Sequence, residues 1–190
     1  MLKNQKAFTL IELLVTLTVL GVVVGLAAPS FNSQILNNKS IALGEDFASA
    51  LNLVRSEAVK RANKVSICSS IDGTTCSGGA RDWAKGFIVA VDYSTDNKDN
   101  PVLTDPTHPV STILHVWEKQ DIRSEITVER DATATSFIRY GALGTLARVG
   151  SEKKIIINAE MHNCKGDAKR TITIGPAGLV SVASSACTVY

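Results

Sequence analysis

The segment from Phe8 to Ala28 constrains this chain more than any other part of its sequence. It contains 21 residues and a single charged side chain, Glu12. At 1.5 Å per residue, a helix of that length spans roughly 30 Å, the thickness of the hydrocarbon core of a bilayer. The sequence therefore predicts a transmembrane helix over residues 8–28, with an acid near its start that a simple anchor does not need.

Basic residues at the N-terminus predict the orientation of this helix. Lys3 and Lys6 precede it and no acidic residue does, so the positive-inside rule keeps residues 1–7 in the cytoplasm and sends the rest of the chain outward. A secretory signal peptide cleaved within residues 25–30 (GLAAPS) is one alternative, although the apolar run is long for it and an acid lies near its front. A plain anchor is another, and it leaves Glu12 without a task.

All four cysteines follow the apolar segment. An even number in an outward-facing region suits two disulfides in an oxidising compartment. Three pairings are possible, and we favour Cys68 with Cys76, across a Gly- and Ser-rich loop, and Cys164 with Cys187, at the C-terminal end. The alternative is a metal site at residues 162–164 (HNC), but it has no second ligand pair at a zinc-like spacing. We therefore expect no metal.

Beyond the apolar segment the pattern indicates a longer helix. Apolar residues recur at spacings of four, three and four, which places them on one helical face: Phe47, Leu51, Val54 and Ala58. The simplest interpretation is one helix from about Phe8 to Ala62, roughly 80 Å long by the helical rise. We expect it to be bent or loosened near Pro29 and around residues 37–40 (NNKS).

From residue 65 onward the sequence consists of β-rich segments separated by turn residues. They cover residues 65–71, 86–93, 111–119, 125–130, 136–143, 153–162, 169–175 and 179–184. Because no helical pattern intervenes, we predict an antiparallel sheet or sandwich packed on the helix, an α+β fold. Residues 95–109 form a long polar loop. Its Asp96, Asp99 and Asp105 fit no EF-hand-like spacing, so a solvated loop is favoured over a calcium site.

The pentapeptide Phe8–Glu12 (FTLIE), between a basic leader and an apolar helix, resembles the N-terminal motif of type IV pilins and type II secretion pseudopilins. The resemblance implies that prepilin peptidase cuts between Ala7 and Phe8 and that the new Phe8 amine is N-methylated. Ala7 stands where the leader usually ends in glycine. An ammonium and a carboxylate attract strongly in a low dielectric, so Glu12 is predicted to pair with the Phe8 amine of a neighbouring subunit.

Residues 65–92 narrow the resemblance to the GspH, FimT and FimU group of minor pilins. The matching residues are Cys68, Ser70, Asp72, Gly73, Cys76, Trp83 and Gly86, with Arg55–Ala58 as a helix signature upstream. The resemblance implies a type IV pilin-like fold, with a long N-terminal helix packed on an antiparallel sheet. It divides the chain into a cleaved leader (1–7), a transmembrane or filament-core helix (8–28) and a periplasmic GspH/FimT-like domain (29–190).

We expect no enzymatic activity and no cofactor. Nothing matches G-x-S-x-G, H-E-x-x-H, a P-loop or a Rossmann glycine pattern. An active site would have to combine His108, His115 or His162 with a serine, a cysteine or a carboxylate. Cys164 lies two residues after His162, but it already has a predicted disulfide partner.

Nucleic-acid binding is possible but not favoured. The net charge is +2, from 20 basic and 18 acidic residues, so the whole chain has no large field to attract nucleic acid. The Gly-Arg-x-Arg motif of DNA-binding relatives has no counterpart, because residues 174–190 contain no arginine. A weak patch for phosphates would have to use Lys153, Lys154, Lys169 and Arg170.

The sequence thus predicts a minor pilin of a type IV pilus, which helps to initiate or cap the pilus in twitching, adhesion or DNA uptake. We expect it in the inner membrane with its C-terminal domain in the periplasm, and then in the pilus. The predicted partners are other minor and major pilins or pseudopilins, prepilin peptidase and the inner membrane. The alternatives are a GspH-type minor pseudopilin of the type II secretion system and a DNA-binding pilin for natural transformation.

Overall fold

A computed structural model describes residues 8–98, 100–104, 107, 112–147, 149–150 and 154–188, with the backbone alone for residues 26–30. In these residues, one helix precedes nine strands and a short 3-10 helix, Trp83–Lys85. The elements are α1 (Leu10–Arg61), β1 (Val65–Ser69), β2 (Phe87–Val91), β3 (Ile113–Trp117), β4 (Ser124–Arg130), β5 (Thr133–Ala134), β6 (Phe137–Tyr140), β7 (Ile155–Met161), β8 (Lys169–Ile174) and β9 (Val180–Ser185). Each predicted β-rich segment overlaps a strand, whereas β5 and the 3-10 helix were not predicted.

Helix α1 continues without a break through Pro29 and through residues 37–40, so the expected loosening is absent. The polar side chains near residue 40 have partners outside the helix. Asn37 Oδ1 accepts from the Lys165 N–H at 2.8 Å, and Ser40 Oγ accepts from the Met161 N–H at 3.2 Å. Side chains engaged in this way do not compete for the hydrogen bonds of the helix backbone.

The chain divides into two units, residues 1–35 and residues 36–190. In the described part of the first unit, α1 exposes apolar side chains on all sides, among them Leu10, Leu13 and Leu17. Across the residues that the structure describes, no helix meets the length and apolarity expected of a membrane span.

The second unit contains two antiparallel sheets. The first has the strand order β3-β2-β1-β6, and the second has the order β5-β4-β7-β8-β9. Every residue of β1 and β2 is buried, because these central strands are covered on both faces.

The core of the second unit lies between α1 and the sheets. The predicted helix stripe of Phe47, Leu51, Val54 and Ala58 is at most 1% exposed, which confirms it as the core face. It joins one cluster with side chains of both sheets, including Val65, Val89, Ile157 and Ile172. Every described buried apolar residue lies at Leu43 or later. The second unit therefore contains a complete core of its own, as an independently folding domain requires.

Candidate assembly site

Glu12 lies in the first turn of α1 and bonds to the residue that precedes the helix. Its Oε2 accepts from the Thr9 N–H and the Thr9 hydroxyl, both at 3.4 Å, while Thr9 Oγ1 accepts from the Glu12 N–H at 3.3 Å. This reciprocal arrangement is a capping box, which satisfies backbone N–H groups that the first turn leaves without intrahelical partners. The Thr-x-x-Glu spacing is its sequence signature.

The helix that follows Glu12 presents an apolar surface. Its described side chains from Leu13 to Val24 are exposed, and none is charged. The hydroxyls of Thr16 and Thr18 donate to the carbonyls of Leu13 and Val15, each at 2.8 Å. Since the helix itself satisfies these hydroxyls, they add little polarity to the surface. Among the described side chains of residues 8–25, Glu12 is the one that carries a charge. Ala7, the predicted last residue of the leader, lies outside the described residues.

Most residues that carried the resemblance to the GspH, FimT and FimU group lie in or beside one loop. We call residues 68–76 the stapled loop, because a disulfide closes it. The Cys68–Cys76 disulfide, the pairing that the spacing favoured, has its Cα atoms 5.5 Å apart. Inside the loop, Asp72 Oδ1 accepts from the N–H groups of Thr74 and Thr75 at 2.9 and 2.8 Å. These hydrogen bonds lower the pKa of Asp72. The bond from the Thr75 hydroxyl contributes most, and the bonds from the two N–H groups come next. Gly73, at φ +69°, takes the left-handed position of the turn.

Trp83 and Gly86 connect this loop to the core. The Trp83 ring is buried, lies edge-on to Phe47 with the ring centroids 5.6 Å apart, and donates its indole N–H to the Thr135 carbonyl at 2.8 Å. A Cβ on Gly86 would lie 2.8 Å from the Ser70 carbonyl oxygen, and its φ is +134°. Gly86 thus allows a close backbone approach in the loop, and Trp83 fills the core. Both roles are structural.

The C-terminal segment is held by a second disulfide and a buried carboxylate. Cys164 pairs with Cys187, as predicted. Glu160 accepts from the N–H and hydroxyl of Thr188 at 2.8 and 2.6 Å, and Lys169 Nζ lies 3.9 Å from it. Ligand atoms of Glu160, Cys164 and Cys187 lie within 4.8 Å of one another. Because the two sulfurs are bonded to each other, they are not the thiolates that a zinc site needs.

Of the residues proposed for phosphate contact, the three that the structure describes do not form one patch. Lys169 lies beside Glu160, and Arg170 Nε pairs with Glu45 at 3.1 Å. Lys154 is exposed and lies directly before the first residue of β7. Arg170 lies opposite Ala159, which is five residues farther along the chain. At about 3.3 Å per residue, the strand register separates Lys154 from Arg170 by roughly 16 Å. Lys153 lies outside the described residues.

The other candidate ligands and bases have ordinary neighbours or fall outside the described residues. His115 contacts Trp117, and His162 lies 3.2 Å from Glu125. Asp96 accepts from the Lys98 N–H at 3.0 Å. His108, Asp99 and Asp105 lie outside the described residues, so the calcium alternative stays untested.

Comparison with known proteins identifies the family. Residues 43–178 match the family model described as Type II transport protein GspH, which covers more than half of the chain. The chain belongs to the GspH family. Residues 2–28 of this GspH-family protein also match the prokaryotic N-terminal methylation motif, the segment that contains Phe8 and Glu12. Curated proteins provide no match.

Two solved structures are similar to this chain, and the likeness to one of them exceeds a TM-score of 0.5. The type IV minor pilin FimU of Pseudomonas aeruginosa is 20% identical, covers 77% of this GspH-family chain and 89% of its own, and gives a TM-score of 0.52. The minor pseudopilin EpsH from the Type 2 Secretion System of Vibrio cholerae is 10% identical, with coverages of 77% and 97% and a TM-score of 0.46. The likeness to FimU confirms the predicted α+β, type IV pilin-like fold. The GspH family and the methylation motif together make the chain a member of the minor pilins and pseudopilins.

Proposed function

We propose that this GspH-family protein is a minor pilin that helps to initiate or cap a type IV pilus. It is cut after Ala7 and N-methylated at Phe8, and residues 8–28 anchor it in the inner membrane with the remaining residues in the periplasm. It then enters the filament among other minor and major pilins. The observation that carries the proposal is Glu12, one carboxylate at the start of an exposed apolar helix within a methylation motif.

Glu12 acts as the assembly contact. An unpaired carboxylate costs several kcal/mol in apolar surroundings, and a neighbour's Phe8 amine is a cation of the right charge in the same layer of a filament. The capping box with Thr9 supports this role because it holds the carboxylate at the start of the helix before a neighbour arrives. Glu12 then has a local partner in the free subunit and a charged one in the filament.

Substitutions at Glu12 and Thr9 separate the charge from the cap. Glutamine can serve in a capping box but carries no charge, so Glu12→Gln tests the ion pair with the cap retained, and Glu12→Ala removes both. We expect both variants to reduce the protein in sheared filaments by about tenfold or more, the effect of losing about 1.4 kcal/mol. Thr9→Ser, the matched control, retains the cap and should assemble normally.

The readout is the protein in the sheared filament fraction relative to the envelope fraction, measured by immunoblot. If Glu12→Gln assembles like the wild type while Glu12→Ala does not, the carboxylate serves the cap alone and the pairing proposal fails.

Processing is tested on the same samples by mass spectrometry of the mature N-terminus. We expect a chain that begins at Phe8 and carries one methyl group. Ala7→Gly, which restores the usual last residue of the leader, should be cut at least as completely. A mature chain that begins at another residue, as after signal-peptide cleavage within residues 25–30, would contradict the proposal.

A minor pseudopilin of a type II secretion system is the second candidate, favoured by the description of the matching family. Deletion of the gene distinguishes the two functions. Loss of surface pili with normal secretion supports the pilin, and loss of secretion with normal pili supports the pseudopilin.

A further inference from the structure

The two sheets end in four edge strands, which differ in how well they are protected against further pairing. The Ala147 N–H donates to the Arg139 carbonyl at 2.8 Å, which covers β6. Strand β5 is only two residues long. The pairing of β3 with β2 shifts register between Val89 and Ala90. Short edges, covering segments and bulges all limit edge-to-edge association.

Within the part of the chain that the structure describes, strand β9 has none of these protections. It pairs with β8 in regular register over its whole length, from Ile174↔Val180 to Lys169↔Ser185. Its sequence, VSVASS, contains no charged residue and no proline. It is therefore a regular, uncharged edge of the kind that pairs with other strands.

The hairpin between β8 and β9 shows which backbone groups of β9 point outward. The Gly175 N–H donates to the Leu179 carbonyl at 3.3 Å, which makes these residues a hydrogen-bonded pair. Hydrogen-bonded and non-hydrogen-bonded pairs alternate along an antiparallel ladder. The N–H and C=O groups of Val180, Val182 and Ser184 therefore face away from β8. Among the residues that the structure describes, none bonds to these outward groups.

The side chains of β9 leave room for another strand. Ser181 to Ser184 are exposed on both faces of the sheet, and Val182 is 39% exposed. Two basic residues lie on β8. Lys169 lies beside Glu160, and Arg170 pairs with Glu45 and donates to the Ser184 hydroxyl at 3.0 Å. An approaching strand meets small side chains and no uncompensated charge.

We propose that β9 is a self-association edge, on which two copies of this chain pair antiparallel about a two-fold axis at Val182. This register places Val182 opposite its own copy and Val180 opposite Ser184, so no like charges oppose each other. The absence of charge favours a second copy, because any charged residue on the edge of a two-fold pair lies near its own duplicate. The inference does not depend on the pilus assignment.

Proline at position 182 tests the edge without breaking the β8–β9 ladder. The Val182 N–H points outward, and proline is tolerated on edge strands whose N–H faces solvent. We expect the unit of residues 36–190, which has its own core and both disulfides, to form dimers as its concentration rises in sedimentation velocity. Val182→Pro should weaken the dimer by about tenfold or more, because each copy loses a hydrogen-bond donor at the axis. Val182→Thr, the matched control, keeps the donor and should dimerise like the wild type.

Cysteine cross-linking tests the register and stays informative if the proline variant does not fold. Opposed residues in a hydrogen-bonded antiparallel pair have Cα atoms about 5.5 Å apart, within the range of a disulfide. Val182→Cys should therefore form cross-linked dimers on air oxidation. Ser185→Cys should not, since the two copies of residue 185 lie roughly 20 Å apart in this register. A dissociation constant of about 1 mM corresponds to an association free energy of about −4 kcal/mol. A wild-type unit that stays monomeric at that concentration overturns the proposal. So does a folded Val182→Pro variant that dimerises like the wild type, or equal cross-linking at both positions.

Discussion

Asp92 and Arg139 form a buried ion pair in the second unit. Both side chains are fully buried, and Arg139 Nε lies 2.6 Å from Asp92 Oδ2. Asp92 also accepts from the hydroxyls of Ser66 and Ser94 and from the N–H of Val102. The carboxylate thus connects β1, β6 and the segment that follows β2. Removing one partner of such a pair leaves an uncompensated buried charge.

Asp92→Asn tests this pair with little change in shape. We expect the free energy of unfolding of the 36–190 unit to fall by about 3–5 kcal/mol in urea titrations at pH 7. The control is Lys39→Ala, which breaks the exposed pair with Asp121 and should lose at most about 1 kcal/mol. Equal losses in the two variants would contradict a special role for the buried pair.

The same substitution should also change the response to acid. Burial alone would raise the pKa of Asp92, but hydrogen bonds from Ser66 and Ser94 and the charge of Arg139 lower it overall. A lowered folded pKa gives stability that is present above the ordinary aspartate value of about 3.9 and is lost as pH falls through the folded value. Between pH 4 and pH 2, the urea midpoint should therefore fall more steeply in the wild type than in Asp92→Asn.

At the scale of elements, α1 approaches β8 so closely that one position must be glycine. A Cβ on Gly44 would overlap Arg170 Cβ and lie 2.6 Å from its Cγ. The same arginine pairs with Glu45 on the next residue of the helix. The usual preference of helices for alanine over glycine is therefore opposed here by tertiary packing.

Gly44→Ala should destabilise the 36–190 unit although it raises helix propensity. Overpacking costs about 1–3 kcal/mol, whereas the propensity gain is at most about 1 kcal/mol. Ser49→Ala, at an exposed position of the same helix, should be neutral or slightly stabilising. Thermal unfolding followed by circular dichroism measures both, and a higher melting temperature for Gly44→Ala would show that α1 does not lie this close to β8.

The two disulfides also differ as elements. The bonded cysteines are 8 residues apart in sequence in the first disulfide and 23 apart in the second. The chain-entropy relation gives about 2.5 kcal/mol for the first and about 3.4 kcal/mol for the second. We expect the Cys164→Ser/Cys187→Ser double variant to lose more stability than Cys68→Ser/Cys76→Ser in urea unfolding. The opposite order would show that the stapled loop contributes more to the core than its length implies.

At the scale of the whole molecule, the distribution of charge argues against nucleic-acid binding. The net charge is only +2. Lys169 and Arg170 lie beside acidic partners, and Lys154 is farther from Arg170 than the Debye length of about 8 Å at physiological salt. These three described basic residues therefore do not combine into one field.

We expect no gel shift when the 36–190 unit is titrated with short DNA duplexes at about 0.15 M salt. Lys154→Glu/Lys169→Glu serves as the comparison. A wild-type shift that this variant abolishes would restore the DNA-binding alternative.

The sequence by itself determined the features that depend on neighbouring residues. The helical stripe at Phe47 and Leu51, the eight longer strands and the turn at Asp72 and Gly73 all follow from local periodicity and turn chemistry. The capping box of Thr9 and Glu12 was predictable for the same reason, since its partners are three residues apart.

Only the tertiary structure decided the features that depend on strand register and long-range packing. It brought Asp92 to Arg139, 47 positions apart, separated Lys154 from Arg170 on opposite ends of a hairpin, and left β9 at an open edge. No local pattern encodes these outcomes, because strand order and side-chain proximity are set by the joint packing of both sheets against α1.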